Sequence, residues 1–201
     1  VLLSPPVPVA LARRERGMPP PGPWSYEIKL DGWRAVLFRG EDDIQLQARS
    51  GRLIGDRFPD LLQAAESLPV GLVLDGELVV WHRGRVDFSS VQTRALSHPR
   101  RAPWLARLRP ASLAVFDVLE ADGIDWRPRP YRERRTRLLQ LLGGLGPPIQ
   151  PIAATTDRNT ALEWWERYGT DVGVEGLVVK HLEAPYRTSR EWRKIKHWDR
   201  R

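Results

Sequence analysis

The chain has 201 residues, 41% of them hydrophobic, no cysteine and a net charge of +7. It is long enough for one full-sized core and is globular rather than disordered in composition, with no apolar run of membrane-spanning length. Disulfides, thiolate metal sites and a cysteine nucleophile are excluded, and the basic balance fits a polyanionic partner such as nucleic acid rather than a membrane.

Residues 1–23 are rich in proline and arginine and predict an extended lead-in, with the domain proper over 24–201. The early apolar run precedes Arg13, Arg14 and Arg16, the reverse of a secretory signal. Residues 24–30 alternate, placing Glu27 and Lys29 on one face of a strand. Asp31-Gly32 is a turn signal, so residues 33–38 read as the return strand of a hairpin. A third strand is predicted over 44–48, then a helix over 58–68 with Asp56 as its cap. Strands over 72–74 and 77–81 flank Asp75-Gly76, and a short helix follows over 88–96. Further on come a strand over 112–119, a helix over 131–142 between Pro130 and Gly143, and a helix over 158–168 stopped by Gly169. Residues 177–180 and 191–197 read as the last strands. Strands outnumber helices without β-α-β alternation, which predicts an α+β fold of antiparallel sheets flanked by helices.

Only four of the 32 basic residues are lysines: Lys29, Lys180, Lys194 and Lys196. Arginine is effectively never deprotonated, so each retained lysine is a candidate for a position that needs an amine, the alternative being an arginine bias that left four lysines by chance. All four lie in or at the ends of apolar strands, beside carboxylates or each other. Glu27-Ile28-Lys29-Leu30-Asp31 sets an amine between acids, with Arg34 close behind. Read alone, this is also what a hairpin with cross-strand salt bridges looks like. Asp75 and Glu77 share a face within an apolar run, and buried carboxylates need partners or metals. Glu175 and Lys180 are five apart, which a regular strand places on opposite faces unless Gly176 introduces a bend or bulge.

These segments, in this order, resemble the adenylation (nucleotidyltransferase) domain of bacterial and actinobacterial ATP-dependent DNA ligases. Lys29, Asp31, Gly32 and Arg34 match the Lys-x-Asp-Gly-x-Arg signature of covalent nucleotidyltransferases. Arg49-Ser50-Gly51 matches the next turn, with Ala48 where a Ser or Thr is usual. Asp75-Gly76-Glu77, the aromatic motif at Phe116 and residues 130–135 follow. Residues 175–180 and 192–196 match the last two motifs.

The resemblance implies an ATP-grasp-like fold and a ligase core. Lys29 would attack the α-phosphorus of ATP to give lysyl-AMP, which passes to the 5′-phosphate of a nick in repair or end joining. Attack requires a neutral amine, favoured by desolvation and by Arg34, Lys194, Lys196 or a metal. Lys180, Lys194 and Lys196 would contact phosphates. Glu175, with Glu77 as a second ligand, would hold Mg²⁺ or Mn²⁺. Glu77 would also touch the ribose, with Arg34 near ribose and phosphate. Phe116 would stack on adenine, Glu27 would read the adenine amino group, and Arg49 would bind the nick phosphate.

The nine tryptophans read as core and arginine-stacking residues, with one of Trp164 and Trp165 buried and the other partly exposed. The arginines of 132–137 read as a solvated face able to touch DNA phosphates, and the four histidines carry no role. The alternatives are an RNA ligase, a GTP-using RNA capping enzyme, or an inactive nucleic-acid-binding remnant. Retention of all four lysines opposes the remnant. The sequence around Phe116 and Tyr131 favours DNA ligases over capping enzymes. An NAD-dependent ligase is opposed by the 28 residues ahead of Lys29 and the missing zinc cysteines. No OB-fold segment follows the last motif, so efficient sealing is expected to need such a domain, or other end-joining proteins, in trans. The expected location is the bacterial cytoplasm, at the nucleoid.

Overall fold

The computed structural model describes residues 2–168 and 172–197. Period-two apolar patterning gives the strands β1 (Ala12–Glu15), β2 (Trp24–Leu30), β3 (Trp33–Arg39), β4 (Ile44–Ala48), β5 (Leu72–His82), β6 (Arg85–Val86), β7 (Ala111–Ala121), β8 (Ile124–Asp125), β9 (Ile149–Pro151), β10 (Ala154–Thr155), β11 (Val174–His181) and β12 (Trp192–Lys196). Helical spacing gives α1 (Pro59–Ala65), α2 (Phe88–Leu96), α3 (Ala102–Leu108), α4 (Tyr131–Leu142) and α5 (Arg158–Arg167).

One sheet has the order β1-β12-β11-β2-β10. The other has the order β4-β3-β5-β7-β8, with β6 on β5 and β9 on β7. Pairing is antiparallel except for β1 with β12 and β7 with β9. The α+β class expected from the sequence is the one observed. The largest apolar cluster packs α1, α2 and α4 onto the second sheet through Leu61, Val91 and Leu138. Another, built on Tyr26, Trp165 and Leu177, fixes α5 to the first sheet, and Trp164 remains only half-buried.

A third cluster joins the sheets to each other, and its residues include Val7, Val9 and Ala10. Regular structure therefore begins before Trp24. Val7 exchanges two hydrogen bonds with Gln47 at 2.7 and 2.8 Å, and β1 runs parallel to β12. The prolines and arginines that marked a lead-in surround a short apolar run that is core.

The hairpin expected at Asp31-Gly32 is also corrected. β2 and β3 belong to different sheets, and the dipeptide carries the chain from one to the other. A Cβ on Gly32 would lie 2.2 Å from the Leu78 carbonyl oxygen, so the crossing requires glycine. A crossing and a hairpin use the same turn residues. The two strands expected around Asp75-Gly76 are one strand, β5, whose pairing with β7 shifts register there. Asp56 does not cap α1, which starts at Pro59 behind Phe58. α3 was hidden by Pro99 and Pro103, but proline is tolerated in a first helical turn. The stop expected at Gly169 lies outside the described residues.

Gly176 makes the predicted bulge. Register between β11 and β2 shifts between Val174 and Gly176, where Gly176 has φ of +151°. A Cβ there would sit 1.9 Å from the Ile195 carbonyl oxygen. Gly176→Ala is expected to cost about 2–3 kcal/mol, read as a lower urea midpoint. An unchanged midpoint would contradict the close approach.

Candidate active site

The two sheets diverge from the Asp31-Gly32 crossing and leave a cleft of about 200 Å³ between them. On the first sheet, Gly176 pairs with Lys29 and Lys196, and Val178 pairs with Glu27 and Lys194. Cross-strand partners share a face, so both amines of β12 lie on the face that carries Lys29. The bulge turns Glu175 onto that face as well. Lys29 Nζ donates to Glu175 Oε2, and Lys196 Nζ donates to Oε1 at 3.2 Å. The parity conflict between Glu175 and Lys180 is resolved by one glycine.

The second sheet supplies the opposite wall. Arg34 on β3 grips Asp75 on β5 through Nε at 2.6 Å and Nη2 at 2.5 Å. Its guanidinium lies 4.6 Å from the Phe116 ring centroid. Arg34 therefore pairs across its own sheet, not with the acids of β2 as the hairpin reading implied. Glu27, Lys29, Arg34, Arg49, Glu77, Phe116 and Lys194 all line the cleft, and Val178 faces it beside Phe116. Arg49 follows β4 and also lines a shallow groove that continues from the cleft past Arg34 and Glu77. The side chains of Arg49 and Lys194 make no hydrogen bond or ion pair among the described residues, so both are open to an anion.

Lys180 is placed differently from the expectation. It is 1% exposed and does not line the cleft. Its amine lies 3.0 Å from Glu27 Oε2, donates to the Phe116 carbonyl at 3.1 Å, and sits 4.0 Å from the Trp192 ring centroid. Glu27 is also buried, and its other oxygen accepts from the Tyr131 hydroxyl. Asp117 lies 3.8 Å from the same amine and is held by both arms of Arg134. Lys180 is thus one of two cations, with Arg134, in a buried network beneath the cleft floor. Arg134, expected on a solvated helix face, is wholly buried in it.

The charges bias one another. Burial pushes the Glu77 carboxyl up to about 7, against the pull of Arg34 and Lys29. Burial also pushes Glu175 up, but the hydrogen bonds and charges of Lys29 and Lys196 outweigh it and the net direction is down. Asp31 is raised by burial and by Glu175. Burial, Lys196 and Lys29 lower Lys194. A carboxyl raised in the fold binds protons that the unfolded chain has lost, so Glu77 lowers stability as pH climbs from about 4.5 to 7. Glu77→Gln is expected to gain on the order of 2 kcal/mol relative to wild type at pH 8 compared with pH 5. Urea unfolding at both values checks this, and a pH-independent difference would contradict it.

Among the described residues, no group of three or more His, Asp or Glu is arranged to hold a metal. Magnesium is commonly held by one or two carboxylates plus substrate phosphates, and Glu175, hydrogen-bonded to the cleft residue Lys29 and within electrostatic reach of Glu77 on the cleft wall, fits that donor set.

Several site residues escaped the sequence reading. Arg190 lines the cleft near Lys194, in a segment of scattered arginines where nothing distinguishes it. Tyr131 and Asp117 hold the network below. Their signal was a polar residue at a helix start and an acid inside an apolar strand.

The family profile described as ATP dependent DNA ligase domain matches residues 16–196. DNA ligase C2 of Mycolicibacterium smegmatis is 35% identical over 96% of this chain and 54% of its own length. DNA ligase C of Mycobacterium tuberculosis is 35% identical over 97% of this chain and 55% of its own. A solved structure described as mycobacterial DNA ligase D complexed with ATP and MES superposes with a TM-score of 0.73 at 25% identity, over 94% of this chain and 60% of that one. The chain therefore spans about half the length of the curated relatives it matches.

Proposed function

The chain belongs to the ATP dependent DNA ligase domain family, and from that premise we propose that it is the self-adenylating module of a DNA ligase that joins nicked or broken duplexes. The observation that carries this reading is the Lys29 amine held at the cleft by Glu175, between the lysines of β12 and the arginines of the opposite sheet.

ATP lies with its base in the slot between Phe116 and Val178 and its phosphates toward Lys194, Lys196 and Arg190. Lys29 Nζ attacks the α-phosphorus. A P–N bond forms, the bond to the bridging oxygen breaks, and pyrophosphate leaves. Glu175, hydrogen-bonded to that amine, is in position to take its proton. Positive charge around the phosphates stabilises the transferring group. Glu175 and Glu77 would hold Mg²⁺ or Mn²⁺ together with the nucleotide, and the ion would supply further positive charge to the transferring group. Lys180 acts through Glu27 and Phe116, not on phosphate. The module is proposed to include the segment before Trp24, whose Val7, Val9 and Ala10 belong to the core and whose β1 edges the first sheet.

AMP then passes to a 5′-phosphate at Arg49, and sealing is proposed to require an OB-fold domain or an end-joining partner. A similar Bacillus subtilis protein is named bifunctional non-homologous end joining protein LigD, which supports an end-joining setting; work at the bacterial nucleoid is proposed with it. The RNA-ligase and capping readings are not favoured, because the similar proteins are named as DNA ligases.

Incubation with α-labelled ATP and Mg²⁺ is expected to leave acid-labile label on the protein. Label from GTP instead would favour capping, and no label from any nucleotide would overturn the reading. On pre-adenylated protein, Arg49→Ala is expected to slow AMP transfer to a nicked duplex at least about tenfold more than it slows self-adenylation. Equal losses in both steps would contradict a DNA-side role.

A further inference from the structure

We infer that Tyr186 and Asp75 form a positioning pair that sets the Arg34 guanidinium in the cleft, an inference that rests on Arg34 contacting the nucleotide as proposed above. Tyr186 lies in the connection between β11 and β12 and is buried. Its hydroxyl donates to Asp75 Oδ2 at 2.6 Å and accepts from the Ala10 amide at 3.0 Å. Asp75 is wholly buried and presents both oxygens to Arg34. Arg34 Nη2 donates in turn to the Ala10 carbonyl at 3.2 Å. The four residues close a ring of hydrogen bonds across three parts of the fold: the second sheet, the β11–β12 connection and the N-terminal segment.

The ring controls orientation as well as charge. Arg34 reaches the cleft with one face over Phe116, and Phe116 and Tyr186 both meet the edge or face of Trp192 at ring separations of 5.7 Å. A bidentate fork fixes the guanidinium plane only as well as its carboxylate is fixed. Without the Tyr186 hydroxyl, Asp75 could rotate about its side-chain bonds, and Arg34 with it. Burial and Asp75 hold the Tyr186 hydroxyl well above the usual tyrosine range, so it remains a donor through neutral pH. Catalytic geometry tolerates little looseness in such a group.

The test uses the full chain and follows lysyl-AMP formation in single turnovers, with Lys29→Arg as the blank. Tyr186→Phe is expected to slow adenylation at saturating ATP about tenfold, at a temperature where circular dichroism shows it folded. In an Arg34→Lys background the same change is expected to cost less than about twofold. Asp75→Asn, which keeps the shape while weakening the fork, serves as second variant if Tyr186→Phe does not fold, and must show the same dependence on Arg34. A folded Tyr186→Phe with wild-type rate and KM, or an equal loss in the Arg34→Lys background, would overturn the positioning role. Absence of adduct in the wild type would overturn the nucleotide reading and this inference with it. An adduct that forms normally but is indifferent to Tyr186 overturns this inference alone.

Discussion

Lys29→Arg is expected to abolish the protein–AMP adduct, a loss of at least about a thousandfold. Arginine keeps the positive charge and can still reach Glu175, so the ion pair and the fold survive. What disappears is the amine lone pair, because a guanidinium is not deprotonated under working conditions. This makes the substitution more informative than Lys29→Ala, which also strands Glu175 with one lysine partner. Gel detection of label from α-labelled ATP checks it. An arginine variant that still carried label would move the nucleophile elsewhere, and Lys194, the open amine of the cleft, would be the next candidate.

The second large effect is on stability. Lys180→Met is expected to destabilise the chain by about 3–5 kcal/mol. Removing the amine leaves Glu27, itself 2% exposed, with the Tyr131 hydroxyl as its remaining side-chain partner, and takes a cation from Asp117. A buried charge that loses its partner costs more than the pair contributed. A phosphate-contact role makes a different prediction: KM for ATP rises while the urea midpoint stays fixed. Paired measurements of midpoint and KM therefore separate the two, and a fixed midpoint would contradict the buried placement described above.

The contrast between Lys29 and Lys180 shows what the sequence could convey. Apolar alternation placed Lys29 and Glu27 on one strand face, and spacing placed Lys194 and Lys196 together on another. Those local periodicities survive in the fold. The bulge at Gly176 was legible too, because two residues five apart could not otherwise serve one face. Depth was not legible. Nothing in an apolar strand says whether its terminal lysine emerges into solvent or turns under a tryptophan, since that depends on Trp192 and Tyr131 arriving from elsewhere in the chain. Sheet membership was hidden for the same reason. Asp31-Gly32 permits a sharp turn, but only the approach of Leu78 decides between a hairpin and a crossing. The N-terminal segment illustrates a third limit. Prolines dominated its composition, while three small apolar residues decided its burial.

The central claim is that the Gly176 bulge and Glu175 present one amine, that of Lys29, to the α-phosphorus of ATP. Peptide mapping by mass spectrometry after incubation with ATP and Mg²⁺ tests it most directly. The account predicts an adenylyl group on Lys29 and on no other lysine. Adenylation confined to Lys194 or another residue, or none under conditions where the nucleotide is bound, would contradict it.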